Sequence, residues 1–137
     1  MSQENVEVAE RIYEVLAQGV DEQALRSLVA AGLADPDAEL DLSTAYPDGP
    51  VVRMATLSEF FASLPWGDST RFEPESFRAV GSDRVLVFIR ARGTGAGSGI
   101  AVEARGAHLI TLREGRVVRT ESYTDRDKAL AAAGLRE

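Results

Sequence analysis

The chain reads as an α+β protein in which a curved antiparallel sheet wraps helices on one face. Three observations lead there. The first third carries apolar residues at helical spacing, the stretch from about residue 71 onward alternates with a period of two, and glycine-bearing turns divide that stretch into strand candidates. Helices followed by a meander of adjacent strands is the layer pattern of a sheet folded over a helical layer. Where such a sheet bends away from its helices it encloses a pocket.

Ala9, Ile12, Tyr13, Leu16 and Val20, joined by Val8 and Val15, hold one side of a first amphipathic helix, with Glu4, Glu7, Glu10, Arg11 and Glu14 largely elsewhere. Gly19 marks its end. Asp21-Glu22-Gln23 opens a second helix over 24–32, with Leu25, Leu28 and Val29 as its stripe. Asp35-Pro36-Asp37 then punctuates the chain before a brief strand over 38–42, and turn formers from Ser43 to Pro50 make a loop. A third helix over 56–64 aligns Leu57, Phe60, Phe61 and Leu64 and is closed by Pro65-Trp66-Gly67. Strands follow at 71–80, 84–92, 100–112 and 116–124, and a short helix at 126–133 ends the chain. The glycine-rich run from Gly93 to Gly99 lacks the Gly-x-Gly-x-x-Gly spacing and leads into a strand where a phosphate loop needs a helix, so it reads as a hairpin connection.

At 137 residues the chain fits one domain, 1–137, able to bury a core unaided. It has no cysteine, which removes disulfides, thiolate nucleophiles and zinc–thiolate sites and agrees with a reducing cytoplasm. The polar amino terminus and the lack of any long apolar run speak against export or a membrane span. A net charge of −7 opposes binding to phosphate backbones, so neither nucleic acid nor membrane is an expected partner.

His108 is the single histidine, and alternation places it on one strand face with Val102, Ala104, Gly106, Ile110 and Leu112, while Glu103, Arg105 and Arg113 fall on the other. Small residues beside an imidazole on an apolar face are how a pocket wall reads, and a core histidine satisfied by its neighbours reads the same way. The turn at Glu114-Gly115 sets what lies opposite. A two-residue loop pairs His108 with Glu121, whereas a three-residue turn with Gly115 in a bulge pairs it with Thr120. The second is expected, because it lines the inner face with Val118, Thr120, Ser122 and Thr124 and turns Arg119, Glu121 and Tyr123 outward.

These segments resemble the nuclear transport factor 2 superfamily in its SnoaL-like and ketosteroid-isomerase-like branch. The likeness runs through Asn5-Val6-Glu7-Val8-Ala9-Glu10-Arg11-Ile12-Tyr13, through Asp35-Pro36-Asp37-Ala38-Glu39, and through His108-Leu109-Ile110-Thr111-Leu112-Arg113-Glu114-Gly115-Arg116-Val117-Val118. The resemblance implies a cystatin-like cone, with the sheet around three N-terminal helices, and a homodimer joined through the outer sheet face. It also implies positions. Tyr13 matches the first-helix tyrosine of a ketosteroid isomerase that donates to the developing enolate, Asp41 matches the general base, and His108 stands where the protonated aspartic acid completes the oxyanion hole. That last position is a departure, although an imidazole also donates a hydrogen bond.

Each candidate has a second reading. Tyr13 lies at the edge of its helix stripe and packs there equally well, and plain alternation buries Leu40 and Leu42 and points Asp41 outward, so only a bend or bulge turns it in. Phe60, Trp66, Ile110, Thr120, Ser122 and Thr124 are the candidate pocket residues. Ser122 stands where a limonene epoxide hydrolase would need an aspartate, which disfavours epoxide opening, and a lone histidine with scattered acids makes no metal site. The resemblance thus implies a cofactor-free protein that binds a hydrophobic small molecule and acts as an isomerase or cyclase by proton transfer beside a carbonyl. The alternative is a non-catalytic ligand-binding or dimerisation module of the same fold.

Overall fold

The computed structural model describes residues 2–17, 19–43, 49–62, 71–94 and 99–135. Helix α1 (Ser2–Leu16) buries Asn5, Ala9, Ile12 and Tyr13, the spacing of a single helix face. In α2 (Glu22–Ala30) the Asp21 carboxylate caps the first turn by accepting from the Ala24 amide at 2.8 Å. Gly32, at φ 74°, ends it in a motif where the Leu33 amide reaches back to the Leu28 carbonyl.

Strand β1 (Ala34–Asp41) is longer than the sequence suggests, because it runs through Asp35-Pro36-Asp37. Those residues lie where its pairing shifts register between Ala34 and Glu39, so proline's missing donor is not missed there. Val51–Arg53 forms a short β2 against β1, a strand that sequence periodicity does not reveal. A 3-10 turn over Met54–Thr56 leads into α3 (Leu57–Ala62). The expected end of that helix, together with Trp66, lies outside the described residues. Strands β3 (Arg71–Val80), β4 (Arg84–Thr94), β5 (Ala101–Arg113) and β6 (Arg116–Tyr123) and helix α4 (Arg126–Ala132) complete the order.

The six strands make a curved, unclosed sheet in the order β2-β1-β6-β5-β4-β3. It is mixed rather than wholly antiparallel, because β6, after the full meander, lies beside β1 and runs the same way. Thr94 pairs with Ala101, and most of the glycine-rich run between them, residues 95–98, lies outside the described residues.

The turn between β5 and β6 corrects the expected register. Glu114 and Gly115 form a two-residue loop with positive φ values of 53° and 76°, and Arg113 pairs with Arg116 across it. The pairing then shifts between Thr111 and Leu112, leaving Val118 as an extra residue. His108 consequently faces Ser122, and Ile110 faces Thr120. The inner-face assignment of Thr120 and Ser122 survives, but Val117, not Val118, joins the inner core.

A second correction concerns α4. The sheet is buried on both sides: Val85, Val87, Ile110 and Leu112 meet α1 and α2, whereas Leu86, Ala107, Leu109 and Tyr123 meet Ala129 and Leu130 of α4 and Ala133 that caps it. Not all helices lie on one face, because alternation in β4 and β5 is apolar on both. Arg126 fastens α4 down, donating to the Gly106 and Ile89 carbonyls at 3.1 Å, bonding Glu75 at 2.5 Å and lying 4.6 Å over the Phe88 ring. Among the described residues no helix is long and apolar enough to cross a membrane.

A glutamate held at positive φ is strained, and asparagine adopts that region more readily before glycine. Glu114→Asn is expected to stabilise the fold by about 0.5–1 kcal/mol in denaturant unfolding. An unchanged or lower midpoint would contradict the turn geometry.

Candidate functional site: a cavity with a Tyr–His pair

Between the concave face of the sheet and the helices lies a cavity of about 720 Å³ with mainly apolar walls. Helix α1 supplies Tyr13, β5 supplies His108 and Ile110, β6 supplies Thr120 and Ser122, and α3 supplies Phe60. Thr124 lies on the rim just past β6. Of the candidate pocket residues, all but the undescribed Trp66 line this space.

On its wall the Tyr13 hydroxyl and His108 Nδ1 are 2.5 Å apart, and both residues are buried. The Phe72 ring meets the imidazole edge-on at 5.0 Å, and Phe77 meets Tyr13 edge-on at 5.8 Å. Phe72 is a site residue that sequence reading missed. Phe72 and Phe77 are an odd number of residues apart and fall on opposite faces of a regular strand, but β3 shifts register between Pro74 and Ser76 and brings both against the inner core. Pro74 in mid-strand was the available signal. Gly106 meets a different need: a Cβ there would stand 2.5 Å from the Tyr123 carbonyl oxygen, so no other residue allows β5 and β6 this approach.

Burial raises the Tyr13 phenol pKa and lowers that of His108 from 6.5 to about 4, so both groups are neutral at physiological pH. The tautomer sets the direction of this bond: the phenol donates to Nδ1 when the imidazole proton is on Nε2, and accepts when it is on Nδ1. His108 lines the cavity, and its hydrogen bond to Tyr13 runs through Nδ1.

Asp41 is not brought to this pair. Leu40 and Leu42 line the cavity, and Asp41 turns the other way. Its carboxylate accepts from the Ser43 hydroxyl and amide at 2.5 and 2.9 Å and pairs with Arg119, whose guanidinium also reaches Glu39 at 3.0 Å. The Ser43 hydrogen bonds, with Arg119 beside them, hold the carboxyl below the usual carboxylate range. The bulge that would have turned Asp41 inward lies earlier in β1, so plain alternation governs its end.

With this geometry in place, comparison with known proteins assigns the fold a family. Residues 9–120 match the model of the SnoaL-like domain, and the chain belongs to that family. Solved structures similar over nearly the whole chain include TerC co-crystallised with polyporic acid (23% identical, 96% of this chain and 98% of that one, TM-score 0.67). A candidate SnoaL-like polyketide cyclase from Jannaschia sp. CCS1 is 21% identical over 99% of this chain and 95% of its own, with a TM-score of 0.67. The epoxide hydrolase/cyclase-like enzyme SalBIII, of pyran ring formation in salinomycin, is 16% identical over 90% and 92%, with a TM-score of 0.68. At these identities the likeness is one of fold. No curated protein matches the chain.

The depressed imidazole pKa makes stability depend on pH. In the unfolded chain His108 takes up its proton near pH 6.5, while the folded protein resists until about 4. Protonation therefore favours the unfolded state throughout that window, and about 3 kcal/mol is expected to be lost as pH falls through it. His108→Gln lacks this component, so the difference in unfolding free energy between the two proteins should move by that amount between pH 7 and 4. Parallel curves would refute the burial of a neutral imidazole.

Proposed function

We propose that this chain binds a hydrophobic, carbonyl-bearing small molecule in the cavity and polarises its carbonyl as a cyclase or isomerase. The observation that carries the reading is the neutral Tyr13–His108 pair on an apolar wall. A carbonyl oxygen that gains charge is stabilised by preorganised donors in a water-poor site. Membership of the SnoaL-like family supports it, as do the solved relatives linked to cyclisation or crystallised with an organic acid.

The rival reading is a binding module without turnover. It is favoured by Asp41, whose carboxylate is committed to Ser43 and Arg119 rather than to the cavity. A screen of steroid, polyketide and terpenoid ketones by thermal shift addresses both readings. A ligand at a hundred times its Kd stabilises the fold by about 2.7 kcal/mol. His108→Phe is expected to weaken a ketone roughly threefold to tenfold and leave its deoxygenated analogue unaffected, the worth of one neutral hydrogen bond. Equal weakening of both compounds would remove the carbonyl from the reading. Turnover of a bound ketone then separates enzyme from module.

The homodimer belongs to the same proposal, on the strength of the family resemblance. Helix α4 already covers Leu109 and Tyr123 of the outer face, leaving open an ion-pair ladder in which Arg92 bonds Glu73 and Glu103, and Arg90 bonds Glu103 and Glu75. A polar surface of this kind suits an interface salted by charge pairs rather than an obligate apolar one. Sedimentation at micromolar concentration is expected to show a dimer that weakens as salt rises. Monomer alone overturns it.

A further inference from the structure

We infer that Thr120 is a second anchor in the cavity and selects a hydroxy-ketone on a rigid fused-ring frame, its hydroxyl on Thr120 and its carbonyl at the Tyr13–His108 pair. This rests on the carbonyl-binding reading above and goes beyond it by assigning a residue that chooses the ligand. Thr120 is half-buried in mid-sheet, its register partners are Leu40 in β1 and Ile110 in β5, and all three line the cavity. One hydroxyl thus interrupts an apolar stretch of wall.

The phase of β6 puts it there, because Val117 joins the inner core, Val118 is the extra residue, and Thr120 is the next to face inward. Among the described residues no hydrogen bond engages its hydroxyl. Other polar groups of the lining have partners: Tyr13 with His108, Glu39 with Arg119, and Arg92 with Glu73 and Glu103.

Packing alone does not ask for this hydroxyl. Valine has the same β-branched outline without a polar atom and fills the place between Leu40 and Ile110 as well. A bound hydrocarbon takes solvent from the threonine and leaves it unmet, whereas a ligand oxygen at that point meets it. The wall therefore favours a ligand oxygenated there over its deoxy analogue.

The span sets the frame. His108 faces Ser122, and Thr120 is the next inward residue of β6, so the two are diagonal neighbours about 7–8 Å apart. Oxygens on adjacent carbons are too close together to serve both, while oxygens at opposite ends of two fused rings are not. A rigid frame also holds them at that span before binding, so no rotational freedom is lost in reaching both.

The test compares 6-hydroxy-1-tetralone with 1-tetralone, which lacks only the hydroxyl. Affinities are read by thermal shift across a concentration series, and the ¹⁵N imidazole signals of the sole histidine report that the ketone is seated. The hydroxy-ketone is expected to bind roughly threefold to tenfold more tightly, the worth of one neutral hydrogen bond. Thr120→Val should erase that preference by weakening the hydroxy-ketone while leaving 1-tetralone as tight or tighter, and Thr120→Ser, which keeps a hydroxyl, should retain it. Unliganded melting curves show that both variants are folded. No preference in the unaltered protein, a preference that survives Thr120→Val, equal weakening of both ketones in that variant, or loss of the preference in Thr120→Ser overturns the inference and leaves the carbonyl reading standing. If neither ketone binds, or if His108→Phe changes the affinity of neither, the carbonyl reading and this inference fall together.

Discussion

The lining of the cavity depends on the phase of β6 against β5, and one residue controls that phase. Side chains alternate along a strand, so a two-residue turn continued without interruption would carry Arg119 and Glu121 to the same side as His108. Two charges would then sit in an apolar hollow, each at a cost of several kcal/mol, and Asp41 would lose its cation. The extra residue at Val118 reverses the alternation, and Thr120 and Ser122 face inward instead. The register shift near Glu75 does the same on the far side of the sheet, where it brings both Phe72 and Phe77 to the inner core. Irregularities in two strands therefore determine which chemistry the cavity holds.

The outcome keeps ionised groups away from the Tyr13–His108 pair. Outward-facing groups are ionised and paired: Asp41 with Arg119, and the ladder across β3, β4 and β5 that ends on Arg126. The Tyr13–His108 hydrogen bond, by contrast, joins two neutral groups and is buried, where the effective dielectric is low. Such a bond is stronger than the same contact at the surface, and it also fixes the imidazole's edge. Phe72 limits the ring from one side, so its orientation is set by packing as well as by the phenol.

Much of this was legible in the chain because it follows from periodicity. The helical spacing of Ile12 and Tyr13, the two-residue alternation around His108 and the turn formers between the long strands specify the layers, and the family resemblance specifies their arrangement. The departures share one cause, which is that bulges and backbone dihedrals leave little trace in composition. Charge placement alone points to a three-residue turn at Glu114-Gly115, because it keeps Arg119 and Glu121 off the inner face; the fold reaches the same end with a two-residue turn and an extra residue at Val118. Strand β1 passes through Pro36 because its pairing is irregular at that point, which no local pattern announces. The cover that helix α4 gives the outer face is not visible in β5 and β6 alone, where Leu109 and Tyr123 stand among charges; Leu86 and Val80 from other strands complete that second core. Asp41 illustrates the reverse case, since plain alternation described its direction and the family alignment did not.

A volume of about 720 Å³ that the chain's own atoms leave unfilled has a mechanical consequence. Interiors packed like organic crystals barely yield to compression, whereas a hollow walled by Leu, Ile and Phe is space that an unfolded chain gives up. Where apolar stretches of it stay dry, unfolding shrinks the system, and hydrostatic pressure drives the protein apart more readily than its thermal stability alone would suggest. A molecule that occupies the hollow removes that volume difference. The folded protein is thus soft when open and stiff when filled, so its compressibility reports occupancy even for an occupant that leaves no spectral mark.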